Sequence, residues 1–423
     1  MLTTTIFLLI IMAALIGTPL FLILSLVSMV AFSLNGIAIT SIPIAMYQVA
    51  SQPLLISIPL FTFAGYMMAE SNSPKRILRL GQALFGVLPG GVAIVSLAVS
   101  AVFTAFTGAS GVTIIALGGL MYPILKEEGY SEKFSLGLIT TCGSLGLLFP
   151  PSLPLILYGI ISRTDIDSLF RAGPLPGILL VFVLSLYAIK VRGFNGNATV
   201  SVSRRFSFRE VVSAGKGAFW EMLLPVGVVV GIYGGITTVS EAAALTAFYV
   251  LIMCCFIYRD VRIRDLSKVM FNSMSLVGAI LMMVCCALAF TNYLVDEEVP
   301  MKLLDFIQLY ITNKYAFLIA LNLFLVLVGC TMDIFSAIVI IVPLITPMAQ
   351  RYGVHPVHLA MIFLTNLEIG YLTPPVGINL FISSFRFKRH ITEIYKVVLP
   401  FILMLWISLL IITYVPELSL ILQ

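Results

Sequence analysis

The sequence predicts an all-α polytopic membrane protein built from two inverted-topology repeats, and three observations lead to this fold class. Of its 423 residues, 60% are hydrophobic and 10% are charged, with a mean hydropathy of +1.10, whereas about a quarter of a soluble domain is charged. Apolar runs long enough to cross roughly 30 Å of hydrocarbon as helices recur along the chain. Polar and proline signals of the first half recur in the second at a constant spacing.

A series of apolar segments is predicted to span the membrane, because each is bounded by charged or polar breaks. They cover residues 2–17, 19–34, 48–71, 134–161, 174–190, 218–236, 239–258, 271–293, 356–385 and 397–415. The first lacks the Lys or Arg of a secretory signal, so we expect a retained span. Two more apolar blocks, 92–125 and 315–349, are too long for one span and have polar centres. We expect each to form a re-entrant helical hairpin.

The distribution of Lys and Arg predicts the orientation, because cytoplasmic loops carry an excess of these residues. With the N-terminus outside and both hairpins returning to the side they entered from, 19 of the 24 Lys and Arg lie inside. The polar stretch 192–216 then forms a basic cytoplasmic linker between the first repeat, 1–191, and the second, 217–423. The net charge of +5 is therefore a topology signal, and we expect no nucleic-acid partner.

The two halves carry the same signals in the same register. An offset of 224 residues, with no gap, relates these pairs: Thr107 and Thr331, Pro123 and Pro347, Gly129 and Gly353, Thr141 and Thr365, Gly146 and Gly370, Pro150-Pro151 and Pro374-Pro375. Each repeat is expected to contain a hairpin followed by a broken helix, 134–161 or 356–385. Because the first repeat begins outside and the second inside, the repeats are inverted, as in many secondary transporters.

Polar residues interrupt each hairpin at its centre: residues 107–113 read TGASGVT and residues 329–333 read GCTMD. Backbone that is not helical at this depth must be covered by protein or line a wet cavity, because hydrocarbon satisfies none of its hydrogen bonds. Glycines permit tight turns there, and hydroxyls cap helix ends. An unpaired Asp333 near mid-membrane would cost about 2.5–3.5 kcal/mol, so we expect a cation beside it.

A Pro-Pro pair breaks the span after each hairpin, in GSLGLLFPPSLPL and EIGYLTPPVGINL. Proline removes an amide donor and leaves carbonyl oxygens of the preceding turn unpaired. Carbonyls and hydroxyls form the hard-oxygen environment that Ca²⁺ and, similarly, Na⁺ prefer, and helix N-termini at the same breaks favour a carboxylate. Each half is therefore predicted to hold a small cation beside an acid substrate, with simple proline kinks and glycine packing seams as the alternative.

The remaining polar residues of the apolar segments have simpler explanations. The six cysteines lack metal-ligand spacing, so neither a disulfide framework nor a zinc site is indicated, and the three histidines give little support to haem. No cofactor other than the coupling ion is expected. Glu241, just past a glycine-rich turn, is favoured as a helix N-terminal charge or cap over an ion ligand. For Glu368, cation binding and pairing with the scaffold both stay open.

Over nearly its whole length the chain resembles the large membrane subunit of tripartite ATP-independent periplasmic (TRAP) transporters. The motifs that carry the resemblance are GIYGGITTVSEAAA, GCTMD followed by IIVPLITP, NLEIGYLTPPVGINLF, and TGASGVT followed by GLLFPPSLPLILYG. The resemblance implies an elevator-type secondary transporter in a bacterial or archaeal inner membrane, driven by Na⁺. It implies an organic acid as cargo, such as a C4-dicarboxylate, sialic acid, another sugar acid or a keto acid.

The same resemblance implies two partners and a set of site residues. The partners are a soluble extracytoplasmic substrate-binding protein and a small four-helix membrane subunit, expected to be separate because this chain lacks those helices at its N-terminus. One Na⁺ site is implied at Gly108, Ser110, Gly146, Phe149 and Pro151, mainly through carbonyl oxygens. The second is implied at Thr331, Asp333, Gly370, Thr373 and Val376, with the acid between the hairpin tips near Ser110, Ser152 and Asn366. Many members have consecutive serines where this chain has Ala109-Ser110, which weakens the first site only if the side chain at 109 is a ligand.

Other functions compatible with the sequence need different features. A stand-alone Na⁺-coupled carboxylate carrier would use the same hairpins without a binding protein. An intramembrane enzyme would need a carboxylate pair, a Ser-Lys pair or a histidine cluster facing a cavity, and none stands out. A channel is disfavoured, because an inverted pair of hairpins suits alternating access better than a ring of pore loops.

Overall fold

A computed structural model of the chain shows a helical membrane protein. Within the described residues, seven helices are long and apolar enough to cross a membrane, or up to nine if each of two bent pairs is one span. This confirms the predicted all-α polytopic class. The predicted first span, 2–17, lies outside the described residues except for Met12. The structure describes residues 12, 18–86, 90–194 and 207–422.

The helices follow one another through short connections. Those of the first half are α1 (Leu20–Leu34), α2 (Ser41–Ala50), α3 (Ser57–Glu70), α4 (Ser73–Phe85), α5 (Gly91–Thr107), α6 (Ser110–Ala116), α7 (Gly118–Glu127), α8 (Glu132–Cys142), α9 (Leu153–Ser162), α10 (Ile166–Ala172) and α11 (Pro174–Phe194). Those of the second half are α12 (Phe208–Gly217), α13 (Phe219–Tyr233), α14 (Val239–Ile252), α15 (Ile263–Asp296), α16 (Val299–Gln308), α17 (Lys314–Thr331), α18 (Ile334–Arg351), α19 (Pro356–Gly370), α20 (Ile378–Phe387), α21 (Ile391–Tyr414) and α22 (Glu417–Leu420). Short 3₁₀ segments cover Pro53–Ile56 and Leu145–Leu148, and a π-helical turn, Met253–Ile257, extends α14.

Both predicted hairpins are present as helical hairpins. In hairpin 1 (α5, α6 and α7), Ser100 and Met121 face each other across the two arms, with 3.8 Å between Oγ and Sδ. In hairpin 2 (α17 and α18), Lys314 at the start donates a 3.0 Å hydrogen bond to the carbonyl of Gly353, just past the end. The two arms therefore lie side by side in hairpin 1, and the two ends meet in hairpin 2.

Helix boundaries recur at the offset found in the sequence. The helix after the turn begins at Ser110 in hairpin 1 and at Ile334 in hairpin 2, and the hairpins end at Glu127 and Arg351. Each pair is 224 residues apart. The same succession of hairpin and broken helix is therefore used twice.

Both predicted broken helices are present, with the Pro-Pro pair inside each break. The first bends by 45° between the segment ending at Leu148 and α9. In the second, α19 ends at Gly370 and the chain is non-helical until Ile378. A proline lacks the N–H that would continue the helix, which explains why both helices stop there. Both Pro-Pro peptide bonds are cis.

The core lies around these broken helices. Every residue from Phe134 to Cys142 on α8, and from Val357 to Gly370 on α19, is buried. The rings of Tyr158 on α9 and Phe363 on α19 lie 5.6 Å apart, so the broken helices of the two halves pack against each other. Protein thus surrounds the helices that lead into both breaks.

Two connecting helices were not predicted. α4 and α16 read SPKRILRLGQALF and VPMKLLDFIQ, mixing apolar and charged residues. A search for long apolar runs overlooks them, because only one face of each helix is apolar. They lead from α3 to hairpin 1 and from α15 to hairpin 2.

Two predicted boundaries need correction. α15 has 34 residues and extends well past the predicted span 271–293. The predicted span is shorter because about 20 residues suffice to cross a bilayer. The predicted linker 192–216 is partly helical: α12 occupies its end and meets α13 at 71°. Residues 195–206 of the linker lie outside the described residues.

A cluster of charges fixes the start of α4. Arg76 pairs with the buried Glu221 on α13 and, at 2.6 Å, with Asp260 between α14 and α15. The Tyr258 hydroxyl donates to Glu221 at 2.9 Å. Burial by itself raises the pKa of Asp260, but hydrogen bonds from Arg76 and Asn72 hold that pKa below its ordinary value. Removing one partner of a buried ion pair costs about 3–5 kcal/mol, so this cluster ties α4 firmly to the helices of the second half.

Candidate functional site

The turn of hairpin 1, tip 1 (residues 107–110), depends on a glycine. Gly108 has a φ of 62°, in the left-handed region that glycine tolerates best. Ala109 is extended, and α6 begins at Ser110. A Cβ at Gly108 would lie 2.3 Å from Cδ1 of Leu153, the first residue of α9. Tip 1 therefore packs directly against the helix that follows the first Pro-Pro pair.

A cluster of buried threonine hydroxyls supports tip 1. The hydroxyls of Thr104 and Thr113 are 2.8 Å apart, and Thr104 donates to the carbonyl of Gly143 at 3.1 Å. Thr107 lies 3.4 Å from the hydroxyl of Thr113. These bonds join both arms of hairpin 1 to the end of α8, so tip 1 and the first break form one packed unit.

The first break is closely packed and almost entirely buried. A Cβ at Gly146 would lie 2.2 Å from the carbonyl oxygen of Ala101 on α5, so only glycine fits. Ser152 is fully buried, and its hydroxyl has no hydrogen-bond partner among the described residues. The residues implied for the first Na⁺ site all lie on tip 1 or on this break: Gly108, Ser110, Gly146, Phe149 and Pro151.

The turn of hairpin 2, tip 2 (residues 331–334), carries an acid that caps α18. One carboxylate oxygen of Asp333 accepts hydrogen bonds from the N–H groups of Phe335 and Ser336, at 3.0 and 3.1 Å, and the other accepts from the Ser336 hydroxyl. No Lys, Arg or His of the described chain pairs with Asp333. A carboxylate offers about four lone-pair positions, so Asp333 retains capacity for a further partner.

The second break holds tip 2 through backbone contact. A Cβ at Gly370 would lie 2.5 Å from the carbonyl carbon of Gly329. The N–H of Ile334 donates to the hydroxyl of Tyr371 at 2.6 Å. The residues implied for the second Na⁺ site all lie on tip 2 or on this break: Thr331, Asp333, Gly370, Thr373 and Val376.

The second break is more open than the first. Thr331 is exposed, Val376 is 39% exposed and Thr373 is partly exposed. The Thr331 hydroxyl donates to the carbonyl of Val328 at 2.9 Å, and that of Thr373 to the carbonyl of Ile369 at 2.8 Å. Both hydroxyls keep their own lone pairs free.

A polar residue that was not predicted connects the two breaks. Asn379 on α20 is fully buried, and its amide nitrogen lies 3.4 Å from the Ser144 hydroxyl and 3.5 Å from the carbonyl of Thr140. Its sequence signal is an amide two residues after the PPVG motif, within an apolar segment. Through Asn379 the second broken helix reaches the first break.

The residues implied for the substrate differ in their hydrogen-bond partners. Ser110, 7% exposed, lies at tip 1, and the break beside it contains Ser152. Asn366 instead donates to Asn322 at 2.8 Å, and Asn322 donates to the Thr413 hydroxyl at 3.1 Å. This network joins α17, α19 and α21. The side-chain hydrogen bonds of Asn366 therefore lie within the second half and not at tip 1.

Glu241 and Glu368 are two further acids within apolar segments, and each could have a structural role or bind a cation. Glu241 and Thr238 form a capping box at the start of α14: the carboxylate accepts from the Thr238 N–H at 2.8 Å, and the Glu241 N–H donates to the Thr238 hydroxyl at 3.3 Å. The N-terminal role favoured for Glu241 is confirmed. Glu368 is fully buried, and neither carboxylate oxygen has a hydrogen-bond partner among the described residues, so the structure provides no scaffold partner there.

Several known proteins are similar in sequence to the chain. The family described as "Tripartite ATP-independent periplasmic transporter, DctM component" matches residues 3–418. The isethionate TRAP transporter permease protein DctMQ of Oleidesulfovibrio alaskensis is 36% identical over 376 residues, covering 88% of this chain and 58% of that protein. The C4-dicarboxylate TRAP transporter large permease protein DctM of Pseudomonas aeruginosa is 31% identical over 383 residues, covering 90% and 89%. The sialic acid TRAP transporter large permease protein SiaM of Vibrio cholerae is 29% identical over 371 residues, covering 87% and 86%.

A solved structure shares the fold. The YdaH transporter of Alcanivorax borkumensis matches with a TM-score of 0.60 at 13% identity, covering 88% of this chain and 87% of that one. The likeness in sequence over nearly the whole chain identifies a transporter permease and not an enzyme, which overturns the intramembrane-enzyme alternative. The chain belongs to the DctM family, the large permease component of tripartite ATP-independent periplasmic (TRAP) transporters.

Proposed function

We propose that this permease takes up an organic acid together with Na⁺ by alternating access, after an extracytoplasmic binding protein has delivered the acid. The observation that carries the proposal is the pair of helical tips, each packed against a Pro-Pro break, at an offset of 224 residues. Interrupted helices at corresponding positions of two halves are a general feature of ion and substrate sites in secondary transporters.

Na⁺ binding is supported by the oxygen atoms available at each tip. At tip 1 the donors are backbone carbonyls near Gly108, Ser110 and the first break, because proline leaves carbonyls of the preceding turn without amide partners. At tip 2 the donors include the free lone pairs of Asp333 and the hydroxyls of Thr331 and Thr373. Such all-oxygen sets suit a hard cation.

A site for the acid is supported beside tip 1. The Ser152 hydroxyl is buried without a hydrogen-bond partner among the described residues, at the N-terminus of α9. A helix N-terminus attracts a carboxylate through its free N–H groups and its dipole. The relatives named for C4-dicarboxylates and sialic acid support a carboxylate as the recognised group. Asn366 is proposed as a further contact through its side-chain carbonyl oxygen, which is buried without a hydrogen-bond partner among the described residues.

The movement is proposed to be of the elevator type, with the two halves inverted about the membrane plane. The N-terminus lies outside, the linker 192–216 lies in the cytoplasm, and both hairpins are re-entrant. The tips and broken helices pack as one body, whereas α4 and α16 connect this body to α3 and α15. We expect this body to carry the site and to move as a unit along the membrane normal. The helices α4 and α16 would connect it to the helices α3 and α15, which stay in place.

The ion gradient supplies enough energy for uptake. Each Na⁺ entering at about 100 mV contributes roughly 2.3 kcal/mol, and a tenfold concentration gradient adds about 1.4 kcal/mol. Two ions therefore supply about 7 kcal/mol for a neutral cargo. A dianion carried with two Na⁺ moves no net charge across the membrane. The membrane potential then contributes no free energy, and only the concentration gradients drive uptake. Cargo charge and ion number must therefore be measured together.

Two protein partners are proposed: the extracytoplasmic binding protein and a small four-helix membrane subunit. The DctMQ relative, of which the chain spans 58%, supports a small membrane subunit as one of these partners.

Uptake into proteoliposomes that contain the permease and its small subunit tests this function. We expect uptake to require external Na⁺ and binding protein loaded with the acid. Na⁺-dependent uptake without binding protein would instead establish a stand-alone carrier. Equal uptake without Na⁺ and without binding protein would overturn the proposal.

A further inference from the structure

The connection between α20 and α21 forms a positively charged corner beside an open cavity. We call residues 384–391 the basic corner. The cavity is about 770 Å³ in volume, and its lining includes the side chains of Arg386, Lys388 and His390 together with Phe385. Phe385 is 88% exposed, so an apolar ring stands next to the cations at the surface.

The basic corner is held in a fixed shape. The Ser384 hydroxyl donates to the carbonyl of Arg389 at 2.6 Å, and the Arg389 N–H donates to the carbonyl of Ser384 at 3.1 Å. Between them, Lys388 has a φ of 53°, which closes the turn. The Phe387 ring packs against that of Tyr122 on α7 at 5.3 Å, which anchors the corner to hairpin 1.

Two of the cations have no acidic partner among the described residues. Arg389 pairs with Glu132 and, at 3.9 Å, with Glu393. In the described part of the chain no carboxylate lies within 4.0 Å of Arg386 or Lys388. Arg386 lies over Gly119 on α7, where a Cβ would come 2.3 Å from its guanidinium nitrogen. The corner thus presents two positive charges on a rigid support.

The equivalent corner of the first half shows that this fold does not require the cations. It follows α9, and its turn is closed by Arg163 with a φ of 55°. Its sequence, SRTDID, contains Asp165 and Asp167 beside that single arginine, whereas the basic corner reads SFRFKRHI. The same backbone corner therefore forms with acidic side chains. The turn itself does not need positive charges, which points to an interaction with another molecule as their role.

We propose that the basic corner binds the phosphate headgroup of an anionic phospholipid. Under the proposed orientation it faces the cytoplasmic leaflet, where basic pockets between membrane helices bind such headgroups. Arginine matches a phosphate through paired N–H donors, and lysine adds a compact charge. The exposed rings of Phe385 and Phe381 favour a lipid over a free small anion, because a lipid adds acyl chains that these apolar rings can contact.

The experiment compares a double variant with a charge-matched control in the full chain purified in detergent and stripped of lipid. The variant is Arg386→Gln with Lys388→Gln. The control is Arg264→Gln with Lys268→Gln, two exposed residues on the same proposed side. Binding of cardiolipin and of phosphatidylglycerol is measured by native mass spectrometry, and folding by the thermal midpoint without lipid.

We expect the double variant to bind cardiolipin roughly 30-fold more weakly than the unaltered protein, the effect of two surface cations. The control should bind as the unaltered protein does, and both variants should keep its lipid-free midpoint. Equal binding by the double variant, or equal loss in the control, would overturn the site. Displacement of cardiolipin by millimolar inorganic phosphate or succinate would overturn the lipid as ligand and assign the corner to a free small anion.

Discussion

Tip 1 and tip 2 share a backbone plan but differ in charge and exposure. At tip 1 the chain is buried, and three threonine hydroxyls support the turn without any charged side chain. At tip 2, Asp333 caps the next helix and Thr331 reaches the surface, as does Val376 on the break beside it. The two tips therefore solve the same backbone problem with different chemistry.

The difference indicates that tip 1 depends mainly on packing and tip 2 mainly on the charge of Asp333. A cation at tip 1 would be held by neutral dipoles inside a closed shell, so its site is sensitive to small steric changes. A cation at tip 2 would be held partly by a carboxylate in a more open setting, where steric changes relax more readily. Under the proposed function, the two Na⁺ sites should respond differently to matched substitutions.

The largest expected effect is steric and separates the two breaks. Gly146→Ala places a methyl group 2.2 Å from a carbonyl oxygen inside the enclosed first break, whereas Gly370→Ala places one 2.5 Å from the backbone of Gly329, at the buried end of α19 beside the more open second break. Overpacking costs about 1–3 kcal/mol, so we expect Gly146→Ala to lower the thermal midpoint in detergent more than Gly370→Ala does. Gly227→Ala, which meets nothing within 4 Å, should leave it unchanged or raise it. Equal losses at Gly146 and Gly370 would contradict the contrast.

The next effect tests the charge of tip 2. Asp333→Asn keeps a capping oxygen but removes the charge, and we expect the half-saturating Na⁺ concentration for transport to rise about tenfold. Asp333→Ala should add the loss of an N-cap, about 1 kcal/mol, without preventing membrane insertion. Asp296→Asn, at an exposed helix end, serves as the control. An unchanged Na⁺ dependence in Asp333→Asn would remove this residue from the cation site.

A smaller effect is expected at the prolines. Pro374→Ala restores an N–H and removes a helix-interior penalty of about 3 kcal/mol, which allows α19 to extend into the open break as far as Pro375. We expect the maximal uptake rate to fall several-fold, and Pro150→Ala to have less effect because the first break is enclosed. Pro416→Ala, at the partly exposed residue just before α22, controls for loss of a proline. Wild-type rates for Pro374→Ala would argue that the break does not need this proline.

The smallest effect concerns the acid. Ser152→Ala removes a buried hydroxyl that has no described partner, so it should leave stability unchanged while raising the KM for the acid about threefold to tenfold. The half-saturating Na⁺ concentration should stay the same. Ser185→Ala, whose hydroxyl bonds to the carbonyl of Val181, provides the matched control. A lower thermal midpoint with an unchanged KM would give Ser152 a structural role.

Much of the fold was predictable because hydropathy and glycine or proline signals act locally. The sequence predicted both hairpins, both breaks and the cap at Glu241, since each depends on residues close together in the chain. It did not predict α4 and α16, whose polar faces lower their hydropathy. It also did not predict Asn379, because its contact with Ser144 joins positions 235 residues apart.

Local sequence patterns are enough to specify a helical membrane protein, the places where its helices break and the residues that occupy the breaks. Apolar length, missing amide donors and glycine freedom are properties of short segments. The packing of distant segments, by contrast, makes tip 1 enclosed and tip 2 open, and it gives Asn366 its hydrogen-bond partner in the second half. Burial and hydrogen-bond partners depend on which distant segments pack together, and no local pattern specifies that packing.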